Sequence, residues 1–171
     1  TYVSPGTFTI TVQVTDKDGG RGSDAAVVTV PNRAPVASPG GPYSGNEGAA
    51  ITFNGAGSSD PDGTSLTYSW DFGDGSAPTT GPMPSHAYAD NSTYTVTLTV
   101  NDGQLTNSAT TTATVLNVAP TATFNNPGTT KEGSKFTMSL TNPLDPSPVD
   151  QAAGFTYAFD CGGGYGAYSM S

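Results

Sequence analysis

Tyr68-Ser69-Trp70-Asp71-Phe72-Gly73-Asp74-Gly75 holds the only tryptophan of the chain, set among acids and glycines. In an extended backbone successive side chains point to opposite faces, so Tyr68, Trp70 and Phe72 share one face while Ser69 and Asp71 take the other. Three rings on one face can bury a large apolar area. The stretch therefore reads as a core strand that runs into a turn at Gly73-Asp74-Gly75. At such a strand end the carboxylates of Asp71 and Asp74 commonly accept backbone N–H groups and brace the turn. A role as cation ligands is the alternative.

The surrounding composition agrees with a strand-rich chain. Its 171 residues are 34% hydrophobic and 11% charged, with 22 Gly, 14 Pro and 27 Thr and no stretch of helical period. That mixture favours many short strands joined by tight turns. The net charge is −9, and residues 34–118 carry seven acids and no Lys or Arg. A surface of that sign repels phosphate backbones and anionic lipids, which argues against nucleic acid and membrane surfaces as partners. The longest apolar runs, such as Ala25-Ala26-Val27-Val28, are too short to span a bilayer, so no membrane insertion is expected. Thr1 falls inside a strand-like pattern, as expected of an excerpt from a longer protein.

Working outward, the chain repeats itself. Tyr94-Thr95-Val96-Thr97-Leu98-Thr99-Val100 alternates apolar and hydroxyl side chains, which sends one row toward a core and the Thr row toward water. Phe8-Thr9-Ile10-Thr11-Val12-Gln13-Val14 has the same form. Ala34-Pro35 is echoed by Ala119-Pro120, Glu47-Gly48 by Glu132-Gly133, and Asp60-Pro61 by Asp145-Pro146, each at an offset of 85. Thr67 to Gly73 returns as Thr156-Tyr157-Ala158-Phe159-Asp160-Cys161-Gly162 after an insertion of four residues. A period of that size marks a tandem array of domains.

Proline-containing joints at Pro31-Asn32-Arg33-Ala34-Pro35 and Asn117-Val118-Ala119-Pro120 divide the repeats, because proline ends a strand and stiffens the hand-over to the next unit. Residues 34–118 form one whole repeat, 1–33 the end of another and 119–171 the beginning of a third. Strands are expected near 36–38, 50–54, 66–72, 93–100 and 108–116. Short strands at this density imply a two-sheet sandwich.

A Trp at a strand end followed by Asp90-Asn91-Ser92-Thr93-Tyr94-Thr95-Val96 resembles the immunoglobulin arrangement of a core Trp and a tyrosine corner, with Val96 where a second cysteine would stand. Three ordered elements resemble the PKD repeat family more closely still: Trp70-Asp71-Phe72-Gly73-Asp74-Gly75, then His86-Ala87-Tyr88, then the strand from Tyr94. The resemblance implies an all-β chain of tandem immunoglobulin-like, PKD-type β-sandwiches. It covers residues 34–118 fully and the flanking segments in part. The third repeat departs from it, since Phe159-Asp160-Cys161-Gly162-Gly163-Gly164 lacks the counterpart of Asp74.

Catalytic chemistry is poorly supplied. The single His86 and the single Cys161 belong to different repeats, and no catalytic or cofactor-binding set is expected. His86 reads as a packed residue of the sandwich, and Cys161 as a buried thiol or half of a bridge completed elsewhere. Calcium is the one cofactor the acids suggest. Asp16-Lys17-Asp18-Gly19 and Asp60-Pro61-Asp62-Gly63 each set two carboxylates before a glycine, a spacing that lets Asp16 with Asp18, and Asp60 with Asp62, offer hard oxygen ligands. The same spacing is an ordinary hairpin turn.

These features are expected of a non-catalytic structural or adhesive spacer in a large extracellular or cell-surface protein. Its partners would be neighbouring repeats, other surface proteins or polysaccharides. The alternative is an accessory domain that holds collagen or a polysaccharide for a secreted hydrolase. That role calls for exposed rings, whereas Tyr43, Tyr88 and Tyr94 read as core or corner residues. The two flanking pieces together nearly equal one repeat, so completion of one molecule's end by the next, a head-to-tail self-association, is a further expectation.

Overall fold

The computed structural model describes residues 4–125, 128, 129, 131, 134, 137–159 and 166–168. Its first elements, β1 (Gly6–Thr15) and β2 (Arg21–Val30), form an antiparallel hairpin in register from Gly6↔Val30 to Thr15↔Arg21. Then come β3 (Tyr43–Asn46), β4 (Ala50–Thr52), β5 (Thr67–Asp71), β6 (Thr79–Thr80), β7 (Ser85–Ala87), β8 (Ser92–Asn101) and β9 (Thr106–Leu116). Five of these form one sheet in the order β3-β9-β8-β5-β6, and β4 pairs with β7 in a second. The third segment holds β10 (Thr121–Asn125), β11 (Ser139–Leu144), α1 (Pro148–Ala153), β12 (Tyr157–Phe159) and β13 (Gly166–Tyr168). There β10 pairs with β11 and β12 with β13.

Two compact units arise from these contacts: Thr1–Pro42 with Thr52–Ser85 and Thr95–Thr112, and Tyr43–Ile51 with His86–Tyr94 and Ala113–Ser171. In the first, β5 pairs antiparallel with β8 from Thr67↔Asn101 to Asp71↔Thr97. Trp70, Phe72, Val96, Leu98 and Val100 are all buried, as the period-2 pattern of both stretches requires. Phe53, one residue past β4, closes the core from the other sheet. Its ring centroid lies 5.8 Å from that of Trp70 and 5.0 Å from that of Phe72, both tilted. Its backbone N–H donates to the Pro84 carbonyl at 2.9 Å, and that of Gly55 to Pro82 at 2.8 Å, which carries the second sheet onward. Burial of a Trp takes roughly 150–250 Å² from water, so at about 25 cal/mol per Å² Trp70 contributes at most about 4–6 kcal/mol.

The hairpin β1-β2 departs from expectation. Its apolar row remains in water, with Ile10, Val12 and Val14 exposed at 44%, 60% and 67%. The alternation of β1 matches that of β8, but β8 lies inside a five-stranded sheet beside β5 and its Trp70, while β1 is hydrogen-bonded to β2 alone.

In the second unit β3 pairs parallel with β9, from Tyr43↔Ala113 to Asn46↔Leu116. Glu47, Ile51, Tyr88, Ala113 and Val115 are buried there. Of the expected strands, 36–38 is reduced to one bridge, Val36↔Ser59. Strands β3, β6 and β7 were not expected, being short and lacking alternation.

Helix α1 also departs from the purely β expectation. Ser147 caps it, its hydroxyl accepting the Asp150 N–H at 3.2 Å, and Pro148 begins it, where proline's missing N–H costs nothing. Gly154, at φ 84°, ends it. Six residues are too few to show a helical hydrophobic period, so only these end signals were available in the sequence.

Candidate functional site

The signature stretch builds a turn around its strand end. Asp71 Oδ1 accepts the Gly73 N–H at 2.9 Å, and Asp74 Oδ1 accepts the Ser76 N–H at 3.0 Å and its hydroxyl at 2.6 Å. Gly73 has φ +77°, and a Cβ there would stand 2.3 Å from the Thr95 carbonyl oxygen, so only glycine fits beside β8. Gly75, at φ +82°, faces open space. Trp70 donates its indole N–H to the Gly81 carbonyl at 3.0 Å, which satisfies the one polar atom of a fully buried ring.

The other signature residues pack on one another. The Tyr94 hydroxyl donates to the Asp90 carbonyl at 2.9 Å, the tyrosine corner expected from the sequence. Tyr94 stacks on Tyr88 at 4.2 Å, and His86 meets Tyr88 edge-on at 4.7 Å. These three rings are thus packed on one another.

Carboxylates hold both joints. At the first, Arg33 gives its backbone N–H to Asp62 Oδ2 at 2.7 Å and its Nε–H to Oδ1 at 2.7 Å, and also donates to the Pro61 carbonyl. These bonds to Arg33 hold the Asp62 carboxyl below the usual carboxylate range. Beside it, Asp102 Oδ1 accepts the N–H groups of Gln104 and Leu105 at 2.7 Å each, and Oδ2 accepts the Asn32 amide at 2.8 Å. Its acidity is likewise raised, chiefly by the Leu105 N–H and then by Asn32. At the second joint, the buried Glu47 accepts the Val118 N–H on Oε1 at 2.6 Å, while its own N–H donates to the Leu116 carbonyl at 3.0 Å.

The paired acids singled out for calcium are placed as turn residues. Asp16 Oδ1 accepts the N–H groups of Asp18 and Gly20 at 2.9 and 2.8 Å, and Asp18 pairs with Lys17 at 2.8 Å. Asp60 Oδ1 accepts those of Asp62 and Thr64 at 2.8 and 3.1 Å. The carboxylate of Asp62 is committed to Arg33, and Asp60 Oδ2 is buried without a hydrogen-bond partner.

Sequence reasoning missed a different group. One carboxylate oxygen from each of Glu47, Asp90 and Asp150 lies within 4.8 Å of the other two, and among the described residues this is the one such trio. Glu47 follows β3, Asp90 precedes β8 at the tyrosine corner, and Asp150 lies in the first turn of α1. Asp145 anchors that helix: buried, it accepts the Ser147 N–H at 2.8 Å on Oδ1, and its carbonyl takes a hydrogen bond from the Gln151 amide. A similar turn bond joins the Asp62 N–H to Asp60 Oδ1 at 2.8 Å. Burial, then the charges of Asp145, Glu47 and Asp90, push the Asp150 carboxyl above the usual range. The sequence hinted only at Glu47, through its repeated Glu-Gly pair. The counterparts Glu132 and Gly133, and Cys161, lie outside the described residues.

The family model described as PKD domain matches residues 32–116. Over those residues the chain belongs to the PKD domain family. This is a family of non-catalytic modules, and the described residues contain no catalytic domain. Curated relatives include collagenase ColA of Bacillus cereus, 42% identical over 64 residues, which is 37% of this chain and 7% of the relative. A microbial collagenase of Vibrio alginolyticus is 42% identical over 60 residues, 35% of this chain and 7% of the relative. The chain thus matches only about 7% of these proteins' length. Among solved structures, the PKD1 domain of Vibrio anguillarum Epp is 36% identical with a TM-score of 0.42, covering 50% of this chain and 96% of that one. A carbohydrate-binding module of the β-sandwich superfamily is 27% identical with a TM-score of 0.46, covering 65% of this chain and 54% of that one.

Proposed function

We propose that this chain is a non-catalytic spacer in a larger extracellular or cell-surface protein, in which the PKD domain at its centre is one of several consecutive repeats. The observation that carries this reading is the fastening of both joints by buried or half-buried carboxylates. Asp62 and Asp102 grip Arg33 and Asn32, and Glu47 grips Val118, each with short bonds to the chain as it enters or leaves the domain. A flexible tether has no use for such bonds, whereas a spacer that holds its neighbours in a set direction requires them. Backbone relaxation of the whole chain tests it. The amides of Arg33 and Val118 are expected to show order parameters of about 0.85, and values below about 0.6 would reject the spacer.

A second reading is favoured by the matches to collagenases: the PKD domain serves as an accessory module that keeps a polymer near a catalytic domain elsewhere in the protein. Collagen lies outside cells, which agrees with an extracellular setting. Retention of the chain on insoluble collagen or polysaccharide would support this reading, and its absence from both pellets would remove it.

A further inference from the structure

We propose that Glu47, Asp90 and Asp150 bind one divalent cation, calcium by the chemistry of their donors, and that the ion fastens α1 to the loops at Glu47 and Asp90. Oxygens no more than 4.8 Å apart can each lie at about 2.4 Å from a single ion, which is the calcium–oxygen distance. All three donors are hard carboxylate oxygens with no nitrogen or sulfur among them, the set that suits calcium over zinc. An acidic cluster alone is common, but Glu47 sets this one apart. Its side chain is 2% exposed, and its Oε2 is buried without any hydrogen-bond partner. A carboxylate oxygen taken out of water and left without a donor is costly unless a cation meets it.

Among the described residues no cationic side chain meets that oxygen. Residues 34–118 contain no Lys or Arg, and the neighbour across the trio, Asp145, is a further acid. Hydrogen bonds tie down the stretch that carries each donor. Glu47 is held through Val118 and Leu116, and the Asp90 backbone through the Tyr94 hydroxyl. Asp150 is held through the Ser147 cap. Next to Glu47, a Cβ on Gly48 would stand 3.0 Å from Pro146 Cβ, so the segment that leads into α1 lies directly against this loop. An ion shared by the three carboxylates therefore ties residues beyond the second joint to the domain before it. That consequence for the joint rests on the spacer reading, whereas the binding of the ion does not.

Calorimetry of the whole chain, stripped with chelator and titrated with calcium chloride, tests the site. Extracellular calcium modules bind at about 10⁻⁴–10⁻³ M, and binding in or below that range is expected here. Asp150→Asn should weaken it at least tenfold, as should Glu47→Gln. The Asn variant tests the site cleanly, because Asp150 lies half-buried on a short helix and makes no side-chain bond to the frame. Unaltered backbone amide shifts at Tyr88, Tyr94 and Val115, which belong to the same compact unit, would show that the fold around the site persists. Asp18→Asn and Asp60→Asn should leave the affinity unchanged. Amide exchange at residues 149–153 should slow with calcium in the unaltered chain and not in Asp150→Asn. No heat up to about 10 mM calcium, ten times the weak end of that range, would overturn the proposal. So would unchanged affinity in Asp150→Asn, or loss of binding only in Asp18→Asn or Asp60→Asn.

Discussion

Phe53→Ala is the sharpest test of the core, because it leaves Trp70 in place as a reporter. Phe53 is fully buried, touches the rings of Trp70 and Phe72, and is the side chain that joins the second sheet to the first. Truncating a buried Phe typically costs about 3–5 kcal/mol, transfer and cavity terms together. A domain of this size has about 4–13 kcal/mol in all, at about 0.05–0.15 kcal/mol per residue. The variant should therefore stand near the limit of folding. Urea titration followed by tryptophan fluorescence reads this region alone, since the chain has 1 Trp. With a slope of about 1 kcal/mol per molar, the midpoint should fall by about 3 M or more, or the native baseline should vanish. Phe53→Leu keeps most of the volume and should lose about 1.5 kcal/mol or less. A midpoint shift under about 1 M for the Ala variant, with the emission of Trp70 still blue-shifted, would refute the assignment of Phe53 as the link between the sheets.

Further outcomes follow from the turn, the joint and the hairpin. Gly73→Ala should destabilise by well over 1 kcal/mol in the same titration, since positive φ and a backbone clash combine, while Gly75→Ala should cost only about 1. Equal losses would show that the clash with Thr95 is not what selects glycine. Asp62 and Asp102 have carboxyls that are more acidic folded than unfolded, so their stabilisation is present above the unfolded value of about 3.9 and disappears as pH falls through the folded values. Asp62→Asn and Asp102→Asn should flatten the loss of stability below about pH 4, and an unchanged acid slope would contradict the joint geometry. The exposed row Ile10, Val12 and Val14 predicts concentration-dependent self-association by light scattering, abolished in a Val12→Asp, Val14→Asp double variant. A constant monomer mass would dismiss it.

What could be read without coordinates was whatever local period and short-range turn chemistry control. The alternation of Tyr68, Trp70 and Phe72, and of Val96, Leu98 and Val100, fixes which faces are apolar, and each of these residues except the half-buried Tyr68 is in the core. The tyrosine corner and the turns at Asp16, Asp60 and Asp71 were legible for the same reason, because donor and acceptor lie within four residues of each other. Tertiary structure alone decided the rest. The row in β1 has the pattern of β8 yet remains in water, since alternation specifies a face and not the sheet that covers it. Arg33 with Asp62, and Glu47 with Val118, meet across tens of residues, and no period links them. The trio of Glu47, Asp90 and Asp150 comes from three separate stretches, brought together by a strand end, a tyrosine corner and a helix of six residues. Its chemistry depends on a buried oxygen without a donor, and burial is a property of the folded chain that no spacing in the sequence records.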